Sequence, residues 1–405
     1  MNTAASNSKI DPHAIVDVVN DLAAFDTPEW TETLLTMGPE YQVDIQKAFP
    51  SARKRLNWPA GDAPGAPGLA QKLKSDFQDK DEIIDLMFIS AIAQEPMLIF
   101  GLPGTAKSDL VARFAEGLGA RRFDVPNHVS PASQAAGQAL SHPPRLYFEY
   151  LLNQFTEPDE LFGPVEVAAL TKNPPQFKRF RDGMLSNAAI VFLDEIFRAN
   201  SAILNALLSL INERRTYEAG TAVKADLLVL FGAANNPPAS EDLQAFYERF
   251  PLRVISSPVD FTPEKRLGLL EKGWRIEANR LAAGYDPALF KISQHACLND
   301  LLLCSRAAVF LWAPADVKKD AFIRVYEDLV ASLHKDSRDL CRIDDRKFIR
   351  LYKLMRARSL YYRAGPPDIE DLALLKYTWH DFVSVDPLAN LVDASLKNLL
   401  APKKP

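Results

Sequence analysis

Cysteine is scarce in this chain: three residues, Cys297, Cys304 and Cys341, among 405. An odd number with no metal-ligand spacing excludes a disulfide framework and a zinc cluster. It leaves buried or incidental thiols in a reducing compartment. No apolar run approaches the ~20 residues that a membrane helix needs. The opening stretch, MNTAASNSKIDPHAIVDVVNDL, has no basic segment followed by an apolar core, so no secretory leader is expected and the chain is placed in the cytoplasm. Internal repeats and long low-complexity tracts are missing as well. Nor is there a surplus of positive charge. Lys and Arg number 47 against 52 Asp and Glu, a formal net charge of -5, which disfavours a surface built throughout for nucleic acid and leaves room only for a local basic patch.

What is present is a large apolar reserve. At 47% hydrophobic residues, a chain of this length can build two or three domains. Residues 1–57 read as helical, with Ile15, Val18, Val19 and Leu22 at helical spacing. Residues 58–68 (WPAGDAPGAPG) read as a Pro/Gly linker. A helix over 81–93 then leads to a short apolar strand, 97–100 (MLIF). Beyond it the pattern is strand, loop, helix: a helix over 108–118, a strand over 188–193, a helix over 201–213 capped by Asn200, and a strand over 227–233. Apolar strands without alternation, separated by helices, predict an α/β fold with a parallel sheet flanked by helices. After Thr262 the patterns are helical only, for example 263–281 and 346–362. The expected division is a helical N-terminal extension with its linker (1–78), an α/β nucleotide-binding domain (79–262) and an all-helical lid domain with a C-terminal tail (263–405).

Residues 101–108 (GLPGTAKS) join a strand to a helix. Such a loop turns its backbone N–H groups toward a polyphosphate, and the helix dipole adds positive potential. Gly101 and Gly104 let the backbone approach the phosphates, Lys107 reaches the outer ones, and the Ser108 hydroxyl is placed to ligate magnesium. The expected nucleotide-binding set is Gly101, Leu102, Pro103, Gly104, Thr105, Ala106, Lys107, Ser108 and Asp109. The usual glycine before the lysine is here Ala106, which is tolerable if its φ is negative. A chance Gly/Pro turn is the plain alternative, and the flanking strand and helix argue against it.

Asp194 and Glu195 follow an apolar strand, at the carboxyl edge where α/β sheets bind ligands. Adjacent carboxylates diverge there, so Asp194 is assigned to magnesium and Glu195 to activating water. Taken alone, an apolar run ending in Asp-Glu is a weak signal, often only a solvated turn. Asn235, after the next strand, suits a hydrogen bond to that water and to the terminal phosphate, with Asn236 or a simple Asn-Asn-Pro-Pro turn as competitors. Arg249, ending a helix over 242–249, fits either a solvated surface or a finger projected into a neighbouring site.

Together, GLPGTAKS, FTEPDELFGPVE (155–166), VFLDEIFRANSAILNALLSLINERR (191–215), GAANNPP (232–238) and YERF (247–250) resemble the MoxR group of AAA+ ATPases, which includes the regulatory ATPase variant A (RavA) type. The resemblance covers about residues 80–365, with its five motifs in order, and that group favours alanine at the position of Ala106. It implies that Lys107 and Ser108 belong to Walker A, Asp194 and Glu195 to Walker B, Asn235 to sensor 1 and Arg249 to an arginine finger. Arg346, within Asp345-Arg346-Lys347, is implied to be sensor 2, reaching the phosphates of its own subunit. Residues 165–185, with Lys172, Lys178, Arg179, Arg181, Asp182 and Gly183, fall where the group carries an insert that lines a central channel; a solvated hairpin is the plainer alternative. Arg214 and Arg215 fit either a subunit contact or a polar loop. Residues 1–78 match nothing in the group.

The implied protein is an ATP- and magnesium-dependent ring, a homo-hexamer, that remodels or matures a protein client. The implied partner carries a von Willebrand factor A domain. Two other readings compete: a nucleic-acid-dependent motor, disfavoured by the acidic balance, and a nucleotide-gated scaffold with little turnover, disfavoured by the presence of both carboxylates.

Overall fold

Four apolar residues in a row, Met97–Phe100, make strand β1, and all four are buried, as a strand covered on both faces requires. A computed structural model describes residues 33–56, 68–122, 146–171, 177–218, 220–238, 240–260, 262–282, 298–337 and 339–401. The expected helix around Ile15–Leu22, nearly all of the 58–68 linker, and Lys172 and Cys297 lie outside them. β1 runs between β7 (Val229–Ala234) and β8 (Leu252–Ile255), parallel to both. Beyond β7 come β4 (Ala188–Asp194), β3 (Leu146–Leu151) and a two-residue edge strand, β2 (Arg121–Arg122). All six are parallel, in the spatial order β2-β3-β4-β7-β1-β8. Every strand therefore ends on the same edge of the sheet. β5 (Arg215–Glu218) and β6 (Thr221–Lys224) form a separate antiparallel hairpin.

Two main-sheet strands are camouflaged in the sequence. β8 contains Arg253, which breaks its apolar run yet is fully buried. The guanidinium lies 3.7 Å from the centre of the Tyr247 ring and donates to the carbonyl of Trp379, so its charge finds a partner in the interior. β3 carries Glu149, which accepts from the Tyr147 hydroxyl at 2.9 Å.

Helices flank the sheet. In chain order they are α1 (Gln42–Leu56), α2 (Leu69–Asp76), α3 (Asp81–Ala93), α4 (Lys107–Gly117), α5 (Pro158–Phe162), α6 (Val167–Leu170), α7 (Ser201–Glu213) and α8 (Glu241–Tyr247). Then follow α9 (Pro263–Ala282), α10 (Leu298–Phe310), α11 (Ala321–Asp336), α12 (Asp345–Arg363) and α13 (Val385–Leu400). α7 begins where the sequence places it: Asn200 Oδ1 accepts from the Ile203 N–H at 3.1 Å, a cap worth about 1 kcal/mol. Beyond residue 262 the described residues contain no named strand, only one isolated bridge between Cys341 and Trp379.

The described N-terminal residues dock on the C-terminal helices. Arg55 makes a two-pronged ion pair with the buried Asp300 of α10. Arg53 donates to the carbonyls of Leu360, Tyr361 and Tyr362 in the last turn of α12, where helical N–H partners run out. Cys304 and Cys341 are buried free thiols, and burial raises the pKa of both. No helix among the described residues is long and apolar enough to cross a membrane.

Candidate active site

The loop after β1 is anchored on both sides by its neighbouring strands. The Gly101 N–H donates to Ala234 O at 3.2 Å, and the Ser256 N–H, just past β8, donates to Phe100 O at 2.6 Å. A Cβ on Gly101 would stand 2.4 Å from Ser256 O, so no larger residue fits there. Ser256 Oγ also donates to Thr105 O at 3.0 Å, and Thr105 Oγ1 to Leu102 O at 2.9 Å. Leu102, Pro103 and Gly104 are left facing solvent as a rigid arch. Inside the arch lies Lys107, buried at 8% exposure, with Nζ donating to Gly101 O at 2.5 Å and Leu102 O at 3.2 Å. Burial lowers its pKa, while Asp194 and Glu195 nearby oppose the shift. Ser108 and Asp109 open α4, and Asp109 faces Arg113 at 3.8 Å.

Ala106 departs from the expectation of a negative φ. It sits at φ 62°, ψ 23°, the left-handed region, immediately before α4. The sharp turn from arch to helix demands that conformation, and alanine adopts it at a cost of roughly 1–2 kcal/mol. Ala106→Gly is therefore expected to stabilise the protein by about 1 kcal/mol, read as a higher melting temperature in calorimetry. An unchanged or lower melting temperature would contradict the assigned strain.

Asp194 ends β4 and Glu195 turns away in the left-handed region, at φ 51°. Asp194 Oδ1 accepts the Glu195 N–H at 2.9 Å, which fixes the turn and separates the two carboxylates. Strand order then brings in a third group. β7 lies between β4 and β1, so Asn235, the residue after it, stands between Glu195 and the loop. Asn235 Nδ2 donates to Glu195 Oε1 at 2.8 Å, and Arg198 Nε lies 3.4 Å from Oε2. The structure thus gathers Lys107, Ser108, Asp194, Glu195 and Asn235 at the carboxyl edge of the sheet, and it is Asn235 that bonds Glu195.

Arg249 and Arg346 stand elsewhere. Arg249 lies two residues beyond α8, before β8 begins, and so at the opposite, amino edge. Arg346 is exposed on the first turn of α12, close enough to Arg249 that its charge, with that of Arg350, reinforces the lowering that burial imposes on the Arg249 pKa, while Asp344 opposes it. Arg346, Arg350, Ile349, Asn212 and Glu213 line an open cleft of about 400 Å³. Further along α12, Lys353 pairs at 3.0 Å with Glu95, which precedes β1, and Arg350 faces the same carboxylate at 3.4 Å. That contact marks the edge, because β1 alone puts roughly 13 Å between Glu95 and the phosphate loop. Arg346, expected from the resemblance to reach the phosphates of its own subunit, thus stands where α12 starts, at the amino edge, and not beside Lys107.

The remaining basic residues are largely engaged at home. Arg214 donates to Gln94 O, and burial lowers its pKa to about 10. Arg215 is exposed at the start of β5. In the 165–185 segment a bridge pairs Val165 with Arg179. Arg179 is bound to Asp159 and Gly163 O, Arg181 to Glu218 at 2.9 Å, and Lys178 lies 3.5 Å from Glu166.

A parallel sheet with a Gly-rich loop after β1 that covers a buried lysine, an Asp-Glu pair at the end of β4, an amide after the strand between them and helices at the C-terminus is the arrangement of an AAA+ ATPase core. A family model described as the MoxR domain in the MoxR-vWA-beta-propeller ternary systems (bpMoxR) matches residues 67–126 and 137–294, more than half of the chain, and the chain belongs to that family. Two uncharacterised proteins of Methanocaldococcus jannaschii are each 38% identical over 187 residues, 46% of this chain. The chain spans 43% and 42% of their length, under half in each case. A structural protein of Acidianus two-tailed virus is 28% identical over 156 residues, 38% of this chain and 24% of its own. A solved structure from Cytophaga hutchinsonii, provisionally assigned as an ATPase, superposes with a TM-score of 0.58 at 13% identity, covering 89% of this chain and 98% of its own, which shows a shared fold.

Sequence reasoning did not single out Ser256, Glu248, Lys347 or Arg350. Glu248 and Lys347 adjoin assigned arginines, a usable signal; nothing in the sequence marks Ser256.

Proposed function

We propose that the chain is a magnesium-dependent ATPase that works as a ring, a hexamer, with each site shared between two subunits. The observation that carries this reading is the separation of the functional groups between the two edges of one sheet. The Arg249 Nε is buried without a hydrogen-bond partner among the described residues, and the exposed Arg346 lies beside it. A partly desolvated guanidinium whose Nε, among the described residues, has no acceptor and only Asp344 as an opposing charge nearby is poised for an anion from outside. The triphosphate of the adjacent subunit is such an anion, so both arginines are assigned to act in trans.

Within one subunit, Lys107 releases the loop carbonyls and takes the outer phosphates, and the arch N–H groups hold the inner ones. The hard oxygen donors of Ser108 and Asp194 suit magnesium, which would neutralise phosphate charge when bound. Glu195 accepts the proton of the attacking water, and Asn235 holds that carboxylate in register. The neighbour's Arg249 and Arg346 stabilise the charge that develops on the transferred phosphoryl group.

The work done is read as remodelling or maturation of a protein client, with a von Willebrand factor A domain partner. The family's description supports that partner and adds a β-propeller component. Kinship with the regulatory ATPase variant A type rests on the shared motifs alone. The 165–185 segment, its arginines already engaged internally, is assigned to channel contacts with protein and not to grip on a phosphate backbone. The test is twofold. Purified chain is expected to release phosphate from ATP, with release abolished by EDTA and restored by magnesium, and the Glu195→Gln protein with ATP is expected to sediment as a ring. Release that survives EDTA, or a monomer with ATP bound, would contradict the reading. Capture on the ATP-loaded Glu195→Gln protein identifies the client, and stimulation of turnover by DNA or RNA would favour the motor reading instead.

A further inference from the structure

The Arg249 Nε has no tether among the described residues, yet the backbone of this residue is gripped closely. Arg350 of α12 donates from Nη1 to Arg249 O at 2.8 Å and from Nη2 to Asn212 Oδ1, at the end of α7, at 3.0 Å. One residue earlier, Glu248 Oε2 accepts from Lys347 Nζ at 3.1 Å and from Arg253 Nη2 at 2.9 Å. Lys347, at 2% exposure, also donates to Arg342 O at 2.7 Å, and its N–H is capped by Asp344 Oδ1 at 2.7 Å. The first two turns of α12 thus hold residues 248 and 249 by two separate bonds, and the same turns carry Arg346.

We propose that Lys347 and Arg350 are positioning residues for trans hydrolysis, clamping the 248–249 segment onto α12 so that Arg249 and Arg346 present a single two-arginine face to the neighbouring subunit. This rests on the trans assignment made above. Stability alone does not account for the arrangement. A buried ionic trio is commonly no better for the fold than apolar side chains of equal volume; what it supplies is register. Register matters here because Arg249, Arg346 and Arg350 are like charges in one place, and without a clamp on the backbone their repulsion would spread them apart. The protonation states suit the role. Against the upward push of burial, Lys347 and Arg253 hold the Glu248 carboxyl down at about 2, so it stays ionised. Burial, with Arg253 beside it, brings Lys347 down to about 8. The Glu248 carboxylate is stabilised because two cations share it, and the ionised Glu248 is the firm end of the clamp.

The experiment uses the full chain with Lys347→Gln and, separately, Arg350→Lys, which leaves Glu95 paired through Lys353. Each variant is expected to lower ATP turnover on the order of 10²-fold, the cost of misplacing a transition-state group by about 1 Å, while binding a fluorescent ATP analogue normally. Mixed with Glu195→Gln subunits, each is expected to regain turnover, because its intact phosphate loop meets a correctly held Arg249 from the other subunit. A variant that keeps full turnover, or that loses turnover and is not rescued by mixing while Arg249→Ala is rescued, overturns the proposal. If Arg249→Ala is itself not rescued, the trans reading fails first. Should Lys347→Gln fail to fold, Arg350→Lys alone decides the matter by the same outcomes.

Discussion

Glu195→Gln is expected to lower ATP turnover by roughly 10³-fold, within the range that a positioned general base supplies, and to leave ATP binding intact. Glutamine keeps the shape and one carbonyl oxygen, so the hydrogen bond from Asn235 Nδ2, now 2.8 Å to Oε1, has an acceptor to retain. What is lost is the ability to accept a proton from water. Binding survives because the groups assigned to the triphosphate, Lys107 and the arch held by Ser256 and Thr105, are untouched. The check is a phosphate-release assay beside equilibrium binding of a fluorescent ATP analogue. Near-normal turnover would remove Glu195 from the chemistry and favour the nucleotide-gated scaffold.

Arg249→Ala is expected to cost roughly 10³–10⁵-fold, the scale of an arginine finger in phosphoryl transfer. The size follows from its surroundings: a partly desolvated guanidinium, beside Arg346, with its backbone fixed by Arg350. A preorganised cation of this kind stabilises developing charge without having to reorganise during the reaction. Its removal is expected to leave the subunit's own nucleotide affinity unchanged, because Arg249 sits at the far edge of the sheet from Lys107. A parallel loss of affinity would place it in its own subunit's site.

Much of this architecture was legible in the sequence where a single force dominated. The unbroken apolar run at 97–100 marks β1 to the residue, and the apolar stripe with its Asn200 cap does the same for α7. Strands whose polar residues are neutralised by distant partners were not legible. Arg253 in β8 is stabilised by Tyr247 and by the carbonyl of Trp379, 126 positions away, and no local pattern reports that. The site divides in the same way. Lys107, Ser108, Asp194, Glu195 and Asn235 follow strands directly, so the order of the chain already places them on one edge. Arg346 sits on a C-terminal helix, and sequence carries no information about which edge that helix starts from; the ion pairs of Arg350 and Lys353 with Glu95 decide it. Ala106 shows a finer failure. Its tolerance in the loop was tied to a negative φ, yet the turn into α4 requires a positive one, and the protein bears the strain.

The central claim is that one subunit holds ATP and the next supplies the arginines. It is tested most directly by mixing two inactive proteins, Arg249→Ala and Glu195→Gln, and measuring phosphate release from ATP across a range of ratios. The account predicts that activity returns in the mixture and peaks at intermediate ratios, where an Arg249→Ala subunit with an intact Glu195 meets a Glu195→Gln subunit with an intact Arg249. Mixtures that exchange subunits and yet stay inactive at every ratio would contradict it.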